Sequence, residues 1–222
     1  MADARIRQQI AFEAARLMYE RVETEYFTAK RKAARLLRVE HRFKPGDLPS
    51  NREIRDQIQA FARMQEGDKR KDNLRAMRVE ALRLMRKLVR FRPRLIGSVW
   101  TGHVRKGSDI DIHIFSNSLA AVTAVLDEHG MHYDVEHKRI VKFAEERFFT
   151  HIHVFDRFKY ELTMYAEDKV HYVFKSSITG KPIELATIAE LEAKLRQERP
   201  DDDLDEAVEN LEDHIDRFEL YR

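Results

Sequence analysis

The feature that most constrains the fold of this chain is the segment DIDIHIF, residues 109–115, in which an isoleucine occupies every second position. Strict alternation of this kind predicts a β-strand with one buried face and one polar face. Asp109 and Asp111 then project from one face, and the isoleucines project from the other. Helical patterns precede and follow this strand, so an α+β fold is expected.

Helical periodicity and helix-capping signals divide the rest of the chain. The pair Ser50 and Glu53 and the pair Thr187 and Glu190 both fit the capping box that begins a helix. Pro93 is expected to end a helix, since proline disfavours helical backbone in the residue before it. The predicted helices cover residues 4–40, 51–65, 72–91, 117–129, 187–197 and a last stretch to Tyr221; the predicted strands cover 95–100, 109–115, 132–143, 148–155 and 159–165.

These elements predict three parts. Residues 1–71 form a helical N-terminal region, residues 72–186 form a domain with a mixed β-sheet and helices, and residues 187–222 form a helical, acidic C-terminus. The length of 222 residues suits one large domain or a domain with a substantial extension.

Composition excludes several classes of protein. The chain has no cysteine, so disulfides and thiolate metal sites are excluded and any metal must take oxygen or imidazole ligands. No run approaches the roughly 20 apolar residues that span a bilayer, and the N-terminus lacks the apolar core of a secretory signal. We therefore expect a cytoplasmic protein without membrane association.

The net charge of +2 conceals a polarised distribution. Residues 63–106 contain fourteen Lys and Arg against four Asp and Glu, whereas residues 184–222 contain fourteen Asp and Glu against five Lys and Arg. One interpretation is that the basic region, in particular the predicted helix 72–91, attracts a polyanion such as RNA. The simpler interpretation is that the two regions solvate their helices or face one another.

The two aspartates favour a metal site. Carboxylates this close on a rigid strand repel each other unless a cation lies between them, and oxygen ligands suit Mg²⁺ or Mn²⁺. A Gly-Ser pair stands upstream at the end of an apolar run: Gly97 lets the backbone approach a phosphate, and the hydroxyl of Ser98 can donate a hydrogen bond to it. The sequence therefore predicts a triphosphate and metal site in this segment.

The segment GSVWTGHVRKGSDIDI resembles the signature of the polymerase-β-like nucleotidyltransferase superfamily, in which a Gly-Ser pair precedes an Asp-x-Asp pair. The resemblance covers about residues 94–165 and implies a nucleotidyltransferase-type sheet with a third carboxylate on a later strand. Glu161 is the candidate, because Tyr160 and Leu162 would face the core and leave it on the opposite side; Asp156, in a turn, is the alternative.

The chain departs from the bacterial minimal nucleotidyltransferases at one point. Those often have Ala-Arg-Gly where Trp100, Thr101 and Gly102 stand here. Replacement phosphate contacts are then expected downstream, and the further nucleotide-binding candidates are Arg105, Lys106 and Ser108.

The resemblance implies metal-assisted transfer of a nucleoside monophosphate, AMP from ATP being the first expectation, to a hydroxyl acceptor. It assigns Asp109, Asp111 and Glu161 to the metal ions, with Glu161 favouring deprotonation of the acceptor. The acceptor stays open between an RNA end, a protein and a small molecule. The alternative function is a non-catalytic nucleotide-sensing or RNA-binding module that retains the fold.

His151 and His153 alternate on one face of the predicted strand 148–155. That alternation could bring them near the site. Ordinary histidines of a sheet surface are the simpler interpretation.

Overall fold

The computed structural model of the protein describes residues 2–42, 45–142, 145–176 and 180–209. These residues belong to two compact units. The N-terminal unit comprises Met1–Arg70, Val104–Lys106 and Lys175–Lys181, and the sheet unit comprises Lys71–His103, Gly107–Phe174 and Pro182–Arg222. The three-part division expected from the sequence stays a prediction.

The N-terminal unit consists of helices α1 (Ala2–Tyr19), α2 (Tyr26–Leu36) and α3 (Asn51–Glu66). The predicted single helix 4–40 is therefore wrong, because the chain leaves helical geometry between Tyr19 and Tyr26 and Arg21 takes a left-handed conformation with φ of 60°. This break lets α2 fold back so that small and aliphatic side chains of all three helices share one core.

Helix α3 begins as predicted. The Ser50 hydroxyl accepts a hydrogen bond from the Glu53 N–H at 3.2 Å, and the Glu53 carboxylate accepts one from the Ser50 N–H at 2.7 Å. Both halves of the capping box are present.

The sheet unit is built on five strands in the order β1-β2-β5-β4-β3. Strand β2 is antiparallel to β1 and parallel to β5, and the remaining pairs are antiparallel. The described residues therefore form an α+β fold with a mixed sheet. The strands are β1 (Arg94–Leu95), β2 (Ile110–Phe115), β3 (His132–Lys142), β4 (Glu145–Phe155) and β5 (Lys159–Tyr165).

The helices of this unit are α4 (Lys69–Lys87), α5 (Gly97–Thr101), α6 (Leu119–Glu128), α7 (Ile188–Glu198) and α8 (Leu204–Glu209). Helix α4 begins two residues before the first residue of the sheet unit. The predicted strand over 95–100 is wrong beyond Leu95, since the left-handed backbone of Gly97 (φ 68°) turns the chain into α5. Helix α7 has the predicted capping box. The end of the helix expected to reach Tyr221 lies outside the described residues.

Strand β2 lies inside the sheet, between β1 and β5. Ile110, Ile112 and Ile114 have no solvent exposure, so the alternation in DIDIHIF marks a buried face, as predicted. The opposite face carries Asp111, which is partly exposed. No helix in the described part of the chain is long and apolar enough to cross a membrane.

Candidate functional site

Asp111 and Glu161 lie side by side in the sheet. Strands β2 and β5 run parallel, and their register pairs Asp111 with Glu161. Paired residues of neighbouring strands project from the same face, so the two carboxylates share one surface. Asp109 immediately precedes β2 and is also partly exposed. The register thus brings together the three acids that the sequence singles out.

The charges of these acids act on one another. Burial and the negative charges of Glu161 and Asp109 together raise the pKa of Asp111 to about 7, although Lys159 opposes the shift. An ordinary aspartate has a pKa near 4, so ionisation of Asp111 is unfavourable in this setting. A cation between the carboxylates would remove that cost.

Gly97 makes room for the Asp111 carboxylate. A Cβ atom added at Gly97 would stand 3.2 Å from Cγ of Asp111 and would collide with its Oδ2. The Ile96 N–H donates to the Asp111 carbonyl at 3.0 Å, which holds the two segments together. Glycine is required here by its conformation and by the aspartate. Ser98 follows it at the start of α5 and is partly exposed.

Glu161 is hydrogen-bonded to a histidine. Nδ1 of His151 lies 2.8 Å from Oε1 of Glu161 and 3.5 Å from the Thr163 hydroxyl. The side chain of His151 is 13% exposed and that of Glu161 is 29% exposed, so both are partly shielded from water. The contact supports the interpretation in which His151 lies near the acidic group, rather than that of an ordinary histidine of the sheet surface. Its alternation along β4 was a usable signal, but the partner depends on the register of β4 against β5.

Lys159 is a second residue that the sequence interpretation missed. Its Nζ lies 3.4 Å from Oδ2 of Asp109. The register that pairs Ile110 with Tyr160 continues backwards to place Asp109 alongside Lys159. The lysine therefore places a positive charge next to the carboxylate of Asp109.

His113 lies two residues beyond Asp111, on the same face of β2. It is 4% exposed, and its ring is 4.7 Å from that of Tyr165 and 5.0 Å from that of Phe174. Burial lowers the pKa of His113 to about 4. The histidine is therefore neutral at physiological pH and packs as an aromatic side chain.

The donor chemistry suits a divalent cation, but the side chains are not arranged as a closed cage. Within the described ranges, no group of three His, Cys, Asp or Glu side chains is placed to hold a metal ion as it stands. The contacts explain this, because Glu161 bonds to His151 and Asp109 approaches Lys159. The carboxylate oxygens of Asp109, Asp111 and Glu161 are ligands of the kind that Mg²⁺ and Mn²⁺ prefer.

The remaining predicted residues occupy other environments. Arg105 and Lys106 belong to the N-terminal unit, where the Lys106 N–H donates to Glu66 at 2.9 Å. Burial lowers the pKa of Arg105. Ser108 directly precedes Asp109 and is partly exposed. A role of these three in nucleotide binding stays a prediction.

Asp156, the alternative third carboxylate, lies in the turn between β4 and β5. It accepts a hydrogen bond from Arg83 at 2.5 Å. The register favours Glu161, since Glu161 and not the turn residue lies opposite Asp111.

Several arginines of α4 form ion pairs within the sheet unit. Arg90, which lies just beyond α4, donates to the Ala121 carbonyl at 2.6 Å. Of the two interpretations of the charge distribution, the structure supports the one in which the basic and acidic regions face each other. The ion pairs join Arg75 to Asp202, Arg78 to Glu198, and Arg86 to Glu192 and Asp205.

Comparison of the chain with protein-family models, with curated proteins and with solved structures gives no match. Function is therefore inferred from the residues of the sheet and from their geometry.

Proposed function

We propose that this protein is a metal-dependent nucleotidyltransferase that moves a nucleoside monophosphate, AMP from ATP, to a hydroxyl group of an acceptor. The observation that carries the proposal is the parallel pairing of Asp111 with Glu161, with Asp109 at the start of the same strand. Burial and the negative charges of Glu161 and Asp109 raise the pKa of Asp111, an arrangement that a folded protein tolerates best where a cation is bound. Gly97 maintains the arrangement by leaving space for the Asp111 carboxylate.

In this proposal Asp109, Asp111 and Glu161 hold Mg²⁺ or Mn²⁺. The ions supply charge neutralisation at the phosphates and activation of the acceptor hydroxyl. The backbone at Gly97 and the hydroxyl of Ser98 bind the triphosphate, which lies next to the carboxylates because Gly97 contacts Asp111. A nucleotidyltransferase-type sheet, the family expected from the sequence, is part of the same proposal.

His151 has a positioning role in this scheme. Its Nδ1 atom lies 2.8 Å from Glu161 and fixes the direction of that carboxylate. A histidine that donates from Nδ1 to Glu161 would orient this carboxylate to accept the proton of an acceptor hydroxyl.

One observation favours the second candidate function, a non-catalytic nucleotide-sensing or RNA-binding module. Glu161 and Asp109 already have partners in His151 and Lys159, and a module that never binds a metal would keep them. The two functions differ in their response to Mg²⁺: an enzyme needs the ion for turnover, whereas a module of this kind binds its ligand without it.

The test is incubation of the protein with each α-labelled nucleoside triphosphate, Mg²⁺ or Mn²⁺, and a cell extract. Wild-type protein should transfer label to one acceptor. Glu161→Gln should bind the triphosphate with little change, while transfer falls by roughly two or more orders of magnitude, since general-base catalysis typically contributes that much.

Glu136→Gln is a matched control. Glu136 also bonds a histidine of the same sheet, His153, at 3.1 Å, but it lies on β3, opposite His151 and away from Asp111 in the strand order. The control variant should keep full transfer activity. Normal turnover of Glu161→Gln, or equal loss in both variants, would overturn the assignment of Glu161.

A further inference from the structure

An open cavity of about 530 Å³ lies in the N-terminal unit, on α2 and the segment that follows it. Its size is within the range of ligand sites, roughly 300 to 1,000 Å³. The lining combines apolar side chains, among them Phe27 and Leu48, with the guanidinium groups of Arg31 and Arg35. A ligand that fills it must therefore carry both negative charge and an apolar or planar part.

The two arginines form one basic surface. Arg31 and Arg35 are four residues apart on α2, so they project from the same side of the helix. The side chain of Arg35 is 72% exposed, and its Nε is 3.8 Å from Glu40, the outer limit of an ion pair. Such a pair neutralises little charge in water. Residues 30–44 contain seven Lys and Arg against one Asp or Glu.

This surface differs from the basic helix α4. Arginines of α4 are engaged with carboxylates of their own unit; Arg75, for example, is 2.7 Å from Asp202 and is only 12% exposed. The Arg31 guanidinium instead lies over an aromatic ring, that of Phe27, with its Cζ 5.7 Å from the ring centroid. The guanidinium groups of Arg31 and Arg35 are thus presented to solvent.

Phe27 adds a flat apolar surface beside these charges. Its side chain is 60% exposed at the edge of the cavity. An acidic peptide would use the arginines without requiring such a ring, and a free phosphate would leave most of the cavity empty. A nucleic-acid strand uses both features, because its phosphates pair with arginine and its bases stack on aromatic rings.

We propose that the α2 cavity is a binding site for single-stranded nucleic acid. Arg31 and Arg35 contact backbone phosphates, and one base stacks on Phe27. The site requires neither the carboxylates of the sheet nor a nucleoside triphosphate. Nucleic-acid binding by the α2 cavity is therefore independent of the proposed transfer activity.

Binding is measured with the full-length protein by fluorescence anisotropy, using labelled 12-nucleotide oligouridylate and oligothymidylate, in EDTA and without nucleoside triphosphate. The variants are Phe27→Ala, the double variant Arg31→Ala with Arg35→Ala, and the control Arg52→Ala. Arg52, on α3 of the same unit, is 71% exposed and 3.9 Å from Asp56, so it closely matches Arg35 in exposure and pairing. These side chains are exposed, and circular dichroism should show unchanged folding.

Wild-type protein should bind at least one of the two strands, with an affinity that falls as salt rises from about 50 to about 200 mM. Phe27→Ala should weaken binding about five-fold or more, as loss of one stacked base does. Removal of both arginines should weaken binding and reduce the slope of log affinity against log salt by about 1.4, since two phosphate contacts are lost. Arg52→Ala should change neither quantity.

Three results would overturn the proposal. The first is absence of binding by wild-type protein to both strands. The second is unchanged affinity of Phe27→Ala together with equal competition by polyglutamate, which would show general attraction of anions. The third is an effect of Arg52→Ala as large as that of the double variant.

Discussion

The substitution Gly97→Ala should separate two reasons for a glycine beside the acidic group. Gly97 has φ of +68°, a conformation that L-residues rarely adopt, and an added Cβ would collide with the carboxylate of Asp111. Gly102, at the other end of α5, has φ of +80°, but its nearest neighbouring heavy atoms would be 3.8 Å from an added Cβ. Gly102→Ala is therefore a matched control with backbone strain and without the collision.

The expected loss of stability follows from these two terms. Left-handed backbone costs a non-glycine residue about 1–2 kcal/mol, which is the whole expectation for Gly102→Ala. An extra carbon forced into occupied space costs a further amount of about 1–3 kcal/mol. Gly97→Ala should therefore lower the free energy of unfolding by about 2–5 kcal/mol.

Urea unfolding of both single variants provides the measurement, and a double-mutant cycle identifies the cause. In an Asp111→Ala background the colliding carboxylate is gone, so Gly97→Ala should cost no more than Gly102→Ala. If Asp111 instead swings aside in Gly97→Ala, stability is partly preserved and transfer activity is lost. Equal destabilisation by the two glycine substitutions, with activity intact in both, would refute the steric role of Gly97.

Three further predictions concern charge. Burial and the neighbouring carboxylates raise the pKa of Asp111 from 3.8 to about 7. The stability of metal-free protein should therefore fall as pH rises from about 4 to about 7. Asp111→Asn should remove this pH dependence from the midpoints of urea unfolding. The hydrogen bond from Arg7 lowers the pKa of Glu53 to about 2. This pair stabilises the fold by about 1 kcal/mol or less at its exposed position, and the stabilisation is complete above pH 4.5 and is lost towards pH 2. Glu53→Gln should therefore flatten the acid limb of a melting-temperature profile, and an unaltered limb would contradict the pair. Arg86→Glu should destabilise the fold by about 1–3 kcal/mol through repulsion from Glu192, and Glu192→Lys should restore the midpoint of unfolding; unchanged stability would argue that α4 is not held by these pairs.

Local patterns were sufficient for much of the secondary structure. The capping boxes at Ser50 and Thr187 start their helices as predicted, because a capping box depends on residues three positions apart. The alternation in DIDIHIF marks β2 for a similar reason, since neighbouring positions of a strand face opposite sides. Strand β5 covers Lys159–Tyr165, the predicted range, so the sequence alone indicated which face Glu161 occupies.

Local patterns failed where a distant contact decided the conformation. The predicted helix 4–40 is interrupted between Tyr19 and Tyr26, and α1 and α2 bury their alanines in one core. The apolar run around Ile96 has strand character, but the left-handed Gly97 turns it into α5 beside Asp111. Local patterns also could not identify the ion-pair partners of Arg86 on α4, because these carboxylates lie about a hundred residues further along the chain.

The sequence by itself indicated the candidate residues for the proposed chemistry: an Asp-x-Asp pair at the start of a strand, a later strand with one acid on its polar face, and a Gly-Ser pair upstream. Only the tertiary structure decided which of these groups meet. Register between β2 and β5 pairs Asp111 with Glu161 across fifty residues of chain, and Lys159 at the start of β5 lies beside Asp109. The packing of β4 against β5 brings His151 to Glu161. The physical reason is that side-chain direction within a strand repeats every two residues, whereas register between strands is set by packing of the whole sheet.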